Sequence, residues 1–377
     1  MSLTATRIAA DTATVTVASQ TPAVADWSRR YFGPWWNAEL TDTRDGSDAI
    51  AAGGGLVLAD VEPSRADDIT TLVTDYGYEE TTYANARTLV ARHDGITYAV
   101  QPEERIGYQA DGRRLVIVGN QAEPVAVAAA RLARELVRGQ LLADGWTVLH
   151  ASAVTQNGDA VLTLGDKGAG KTTTGLLLAR AGWGLLANDR VFVRPDADGR
   201  VRVLPWPSAA ALGLGLLDAT GLYDQVRQRV LAGGQLHPTQ HPKVTEALID
   251  GRREPLWRGD GKELKPQFFP DQLDSWLGLT LATEARVAGL LFPIMSPDAT
   301  PAPVDSDRQL ADADVFDDAT EDRYPDIFGL TPTTTTGTQA LTEHLARLPR
   351  RSLMLSHDTD ASAALLAKTA EEITAAP

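Results

Sequence analysis

Over the first 120 residues or so, apolar and polar positions alternate in short runs, the period of half-buried strands. Thr14–Ala18 and Gly95–Val100 alternate in this way. Ile106–Val118 does so on both sides of Asp111-Gly112, a pair that favours a tight hairpin turn. With helical pieces between them, these runs predict an α+β region over 1–122. The rhythm then changes: Val125, Ala128, Leu132 and Leu136 recur at spacings of three and four, with Pro124 at the tolerant start and Gly139 as an internal breaker. That pattern predicts an amphipathic helix over 123–145 joining two regions.

From residue 146 onward strand and helix patterns alternate, which predicts an α/β core over 146–377. Strands are expected at Thr147–Val154 and Ala160–Leu164, a helix over Lys171–Ala181, and further strands near Leu185 and Val191. Asp196-Ala197-Asp198-Gly199 links Arg190–Arg194 to Arg200–Leu204 as a hairpin, so a mixed sheet is expected. Asp305–Asp326 carries nine acidic residues against two arginines, and Thr331–Thr338 is of low complexity. A solvated, flexible insertion is therefore expected over 305–338, because such segments bury too little apolar surface to offset their ordering entropy. A helix at Gln339–Arg347, a strand at Ser352–Ser356 and a helix at Ala361–Ile373 complete the pattern.

The chain has 377 residues, 43% of them apolar, enough for a substantial folded core. Its formal net charge of −15 argues against nucleic acid or an anionic membrane as a general partner, since both reward a basic surface. The absence of cysteine removes disulfides, thiolate metal sites and a cysteine nucleophile. Met1–Gln20 lacks the basic start and unbroken apolar run of a signal peptide. The longest apolar stretches, Ala209–Leu217 and Val287–Met295, fall short of the roughly 20 residues that cross a bilayer. A cytoplasmic chain is expected, with room for a homo-oligomer. Trp27, Tyr31, Phe32, Trp35 and Trp36 read as core packing before they read as a ligand platform.

The chemistry concentrates in Gly165-Asp166-Lys167-Gly168-Ala169-Gly170-Lys171-Thr172, a full match to the phosphate-loop pattern between an expected strand and an expected helix. Glycines there let successive backbone N–H groups turn toward phosphate oxygens, and the helix N-terminus adds partial positive charge. Lys171 suits the β- and γ-phosphates, the Thr172 hydroxyl suits Mg²⁺, and Thr173 continues the first helical turn. Asp189 lies 24 residues after Gly165, following the apolar run Trp183–Ala187, a short spacing that puts it at the end of the neighbouring strand, where a carboxylate would reach the metal. His150 lies 15 residues before Gly165. If Trp146–Leu149 and Ala160–Leu164 are neighbouring strands, it shares their end of the sheet. Ser152 is similarly placed.

The string His150-Ala151-Ser152, then Gly165–Thr172, then Leu186-Ala187-Asn188-Asp189-Arg190-Val191 resembles the core of the HPr kinase/phosphorylase family, chiefly its shorter divergent members. Phosphoenolpyruvate carboxykinase shares a related core at the level of fold. The resemblance implies a P-loop kinase domain with a mixed sheet, using ATP and Mg²⁺ to phosphorylate a hydroxyl, often of serine. In the family the first aspartate of a pair is the base and the second sits on the metal side. Here Asn188 replaces the first, and an amide takes no proton at neutral pH. Three outcomes stay open. His150 takes over, the loose transition state of phosphoryl transfer needs little base help, or nucleotide is bound without turnover. Divergent members are associated with tailoring of ribosomal peptide natural products, which implies a peptide or small amino-acid-like hydroxyl substrate.

Between Arg200 and Lys265 ten basic residues face seven acidic ones, a positive stretch in an acidic chain. Lys265, before the Pro266–Pro270 turn, is the candidate among them for substrate contact. The leading expectation is an ATP- and Mg²⁺-dependent kinase acting on a seryl or threonyl hydroxyl. The rival is a nucleotide-binding scaffold that has lost catalysis. A transporter ATPase or GTPase is disfavoured, since the transporter signature and Asn-Lys-x-Asp are missing.

Overall fold

The structure, a computed structural model, describes residues 3–41, 53–316, 325–332 and 338–375. It is a mixed α/β protein of two compact units, Met1–Trp146 with Asp317–Thr336, and Thr147–Phe316 with Gly337–Pro377.

The first unit holds β1 (Thr4–Ala10), β2 (Ala13–Ser19), β3 (Glu39–Thr41), β4 (Gly55–Val61), β5 (Glu79–Tyr83), β6 (Ala86–His93), β7 (Ile96–Gln101), β8 (Ile106–Asp111) and β9 (Arg114–Gly119). They form one sheet in the order β3-β1-β2-β4-β9-β8-β7-β6-β5. Pairing is parallel at β2/β4 and β4/β9. The Asp111-Gly112 turn joins β8 to β9 as the sequence predicts, with Gly112 at φ 54°. Helices α1 (Pro22–Trp36), α2 (Pro63–Tyr76) and α3 (Ala122–Ala143) cover the sheet. Ala66, Ile69 and Val73 of α2 pack on Val100, Val116 and Val118. One residue beyond Val118 the strand's alternation turns Gly119 to the opposite face, where a Cβ would come within 2.9 Å of Val125 on α3. Phe32, Trp35 and Trp36 of α1 are buried, with Phe32 stacked on Trp36, so this aromatic group is core.

Residues 325–332 return to this unit and depart from the solvated segment the charge pattern predicts. Ile327 and Phe328 are buried, and the Phe328 ring lies against Tyr83 and Tyr108 at 5.7 and 5.6 Å. Asp326 accepts hydrogen bonds from the Leu330 and Thr331 backbone N–H groups at 2.8 and 2.7 Å, closing a turn. Apolar side chains set between the acids thus find a place to bury, and one acid serves the backbone. The helix breaker gains its reason here: a Cβ on residue 139 would lie 2.0 Å from the Leu330 carbonyl oxygen. Residues 317–324, with Asp317, Asp318, Glu321 and Asp322, and residues 333–337 of the threonine-rich stretch lie outside the described residues.

The second unit begins with β10 (Thr147–Leu149), β11 (Ser152–Gln156), β12 (Asp159–Thr163), α4 (Lys171–Arg180), β13 (Gly184–Ala187), β14 (Val191–Pro195) and β15 (Val201–Pro205). A helical region follows: β16 (Ala210–Ala211), α5 (Leu214–Ala219), α6 (Tyr223–Leu231), α7 (Pro242–Ile249), β17 (Leu256–Trp257), β18 (Glu263–Leu264), β19 (Gln267–Phe268) and α8 (Pro270–Ser275). It closes with β20 (Ala285–Met295), β21 (Ala302–Val304), α9 (Thr338–Ala346), β22 (Arg350–Leu355) and α10 (Thr359–Thr374). The main sheet runs β10-β14-β15-β20-β12-β11-β13, with β22 also beside β20. It is mixed, parallel at β12/β20 and β20/β22 and antiparallel at β14/β15, the hairpin expected around Asp196–Gly199.

The expected single strand Thr147–Val154 is two strands broken at His150-Ala151. β10 pairs with β14, whereas β11 lies between β12 and β13. In a flat sheet the five strand steps from β10 to β11 would span about 24 Å, but two linking residues reach only about 11 Å. The sheet therefore curls back on itself, and Leu149, Val191 and Val203 from one half share a core with Leu162, Leu164 and Leu186 from the other.

Gly139→Ala should lower stability by about 1–3 kcal/mol, since the added carbon meets backbone rather than a movable side chain. The better helix propensity of alanine, about 1 kcal/mol, offsets only part of this. Denaturant unfolding, with limited proteolysis of residues 325–332, measures it.

Candidate functional site

The phosphate-loop sequence leaves the end of β12 and enters α4. Gly165, Gly168 and Gly170 adopt φ of 143°, 90° and 106°, a region costly for residues with a Cβ. Space is limited as well as conformation. A Cβ on Gly165 would lie 3.1 Å from that of Ala169, and one on Gly170 would lie 3.3 Å from Met295. Lys171 folds over the loop, its ammonium donating to the carbonyl oxygens of Gly165 and, at 3.2 Å, Asp166. Asp166, Lys167 and Gly168 at the crest are exposed, while Thr172 and Thr173 at the start of α4 are half-buried. The Ser152 hydroxyl donates to the Lys171 carbonyl oxygen at 2.7 Å, fixing the first turn of α4 to β11.

Strand directions gather the other candidates at this end. β11 is antiparallel to both of its neighbours, with Ser152 opposite Thr163 and Ala153 opposite Ala187. The phosphate loop and Asn188-Asp189 therefore leave the same end of the sheet on either side of the start of β11. Sequence reasoning places Asp189 on the strand next to the loop; one strand, β11, intervenes. The premise for His150 also needs correcting, because Trp146–Leu149 does not neighbour Ala160–Leu164. His150 comes to the same end because it directly precedes β11.

Each candidate has a distinct setting. Asn188 is buried, and its side-chain oxygen has no hydrogen-bond partner. Asp189 is half exposed, with its carboxylate 3.8 Å from Arg190 Nε. The ring of His150 meets that of Phe316 edge-on at 5.2 Å, and its backbone N–H donates to the Asp314 carbonyl oxygen at 2.8 Å. The Thr172 hydroxyl and Asp189 carboxylate are hard oxygen donors of the kind Mg²⁺ takes with few protein ligands. No cluster of three or more acidic, histidine or cysteine side chains suited to a metal occurs among the described residues.

Lys265 is paired with Glu263 at 3.0 Å. Much of the positive stretch around it is engaged internally: Arg253 with Asp218 and Asp224, Arg258 with Asp260, Arg227 with the end of α7. The hydrogen bonds from Arg258 hold the Asp260 carboxyl well below the usual carboxylate range.

Sequence reasoning gave little weight to Ser152 and none to Arg190, Trp206 and Phe316. The Arg190 guanidinium lies over the Phe316 ring at 4.4 Å and near Trp206 at 5.5 Å. Adjacency to Asp189 could have flagged Arg190, but nothing in the chain announces Phe316 as its neighbour.

No protein-family model and no curated protein matches this chain. Among solved structures, the HPr(Ser) kinase/phosphatase from Coxiella burnetii aligns over 60% of this chain and 96% of its own, at 9% identity and a TM-score of 0.24. The functional reading accordingly rests on this chain's own residues. No helix among the described residues is long and apolar enough to cross a membrane.

Ser152→Ala should cost about 0.5–1.5 kcal/mol, the net worth of one hydrogen bond, with the loss localised at the start of α4. Hydrogen exchange of the amides at 171–175 checks the location, and denaturant unfolding checks the size.

Proposed function

We propose that this protein is a phosphotransferase that uses ATP and Mg²⁺ to phosphorylate a seryl or threonyl hydroxyl of a peptide or small amino-acid-like molecule. The carrying observation is the convergence at one sheet end of the glycine-formed loop with Lys171, the carboxylate of Asp189 and the imidazole-bearing crossover at His150. In this reading the backbone of Gly165, Asp166, Lys167, Gly168, Ala169 and Gly170, with Thr173, cradles the phosphates. Lys171 neutralises charge developing on the β- and γ-oxygens. Thr172 and Asp189 hold Mg²⁺, and Asn188 and His150 face the acceptor. The resemblance in motif order described above supports the same assignment.

A second reading follows from Asn188, whose amide occupies the position of the family's base. Under it the protein binds nucleotide as a scaffold and transfers nothing.

Incubation with Mg·ATP and candidate hydroxyl acceptors separates the two. The kinase reading expects ADP release with a gain of one phosphoryl group on the acceptor by mass spectrometry, abolished by Lys171→Ala and by Asp189→Ala. Tight ATP binding with no transfer to any acceptor would sink it in favour of the scaffold. His150→Ala should lower the rate by about 10²-fold or more if His150 is a general base; a much smaller fall leaves it structural.

A further inference from the structure

A buried polar atom with no partner is costly, and one sits at the end of the sheet that the phosphate loop leaves. Asn188 is 9% exposed, and its side-chain oxygen has no hydrogen-bond partner within the protein. Such an atom has lost its hydration and gained nothing in exchange. Its counterpart is then a donor that the chain does not supply.

Strand pairing fixes where this side chain lies. Ala153 of β11 is opposite Ala187 of β13, so the next position along the antiparallel ladder sets Asn188 opposite Ser152. Residues opposite one another share a face of the sheet, and Ser152 is on the face that meets α4. A Cβ on Gly175 of that helix would come within 3.3 Å of Ser152 and 3.7 Å of Leu185. The Ser152 hydroxyl itself donates to the Lys171 carbonyl oxygen at 2.7 Å. The register thus places Asn188 across from the residue that touches the first turn of α4, where Thr172 follows Lys171.

Chemistry narrows the donor. The ionised oxygens of a triphosphate only accept hydrogen bonds. Mg²⁺ held through one or two protein oxygens and phosphates keeps several waters, whose O–H groups donate. With Thr172 and Asp189 as its proposed ligands, Asn188 is the chain neighbour of one and faces the helical turn that carries the other. The terminal torsion of asparagine is broad, so its oxygen turns toward such a water at little cost.

We infer that the Asn188 carboxamide oxygen accepts a hydrogen bond from a water held by the Mg²⁺ that accompanies the nucleotide, and so fixes that ion at the loop. Asn188 is a positioning residue in this role. The inference rests on the proposed metal-holding roles of Thr172 and Asp189, and not on turnover or on any acceptor.

The test is isothermal titration of the full chain with AMP-PNP, once with Mg²⁺ and once with EDTA, together with the Tm of the ligand-free protein. Wild type should bind more tightly with Mg²⁺. Asn188→Leu, similar in size and without the oxygen, should cut that gain by about tenfold, the lower end of what losing a partner of a metal's ligands costs, with metal-free affinity unchanged. Its ligand-free Tm should equal or exceed that of wild type, because it no longer buries an unserved polar atom. Asn188→Asp, which keeps an accepting oxygen, should retain the gain. Asp189→Ala should remove most of it, which tests the metal reading separately. An undiminished gain in Asn188→Leu overturns the inference, as does an equal loss with and without Mg²⁺, or a lowered Tm that marks the asparagine as structural. A wild type that binds equally well with and without Mg²⁺, or an Asp189→Ala variant with its gain intact, overturns the metal reading and this inference with it. Failure of wild type to bind AMP-PNP at all overturns the nucleotide-binding reading as well.

Discussion

Everything at the candidate site depends on a limit of chain length. Two residues between β10 and β11, and three between β13 and β14, are too few to cross a flat sheet of this order. The sheet must curl, and its curl brings the starts and ends of strands from both halves to one edge. The phosphate loop leaves β12 at that edge. Short connections thus do the work that long loops do in many sites. They hold His150, Asn188, Asp189 and Arg190 on backbone that is pinned at both ends by strand pairing, which limits how far any of them can drift.

Charge is distributed less by segment than the sequence suggests. The acidic run looks like a solvated excursion, and Asp305, Asp307 and Asp312 are exposed, yet two of its aspartates are structural. Asp314 is buried against Arg308 and helps to seat Phe316, while Asp326 caps a turn whose neighbours pack on Tyr83 and Tyr108. The positive stretch after β15 looks like a surface for anions, yet two of its arginines, Arg253 and Arg258, are bound to nearby aspartates. Net charge of a segment describes its average field, whereas what a single Arg or Asp does is set by the partner within a few ångströms.

Much of the fold was legible because it is local. The Asp111-Gly112 hairpin, the Asp196–Gly199 hairpin and the helix opening at Lys171 are each encoded by residues in contact with their chain neighbours. The glycine-rich turn between β12 and α4 was legible for the same reason. The broken strand at His150 was not, because its apolar run continues on both sides of the break, and the break serves pairing with β14. Nor was the packing of Ile327 and Phe328, since two apolar residues beside a run of acids leave no periodic trace. Gly139 was visible as an anomaly in a helical pattern, and only the approach of Leu330 explains it.

The return of residues 325–332 to the first unit also fixes an order of events. That unit is discontinuous in sequence, so about half the chain must be synthesised between its sheet and the segment that covers Tyr83 and Tyr108. Until then a nascent chain carries an apolar recess beside α3, with Gly139 exposed at its edge. No single cut through 147–316 can separate the two units with both intact. The first unit borrows its cover from beyond the phosphate loop, so its completion reports that the loop-bearing region has already been made.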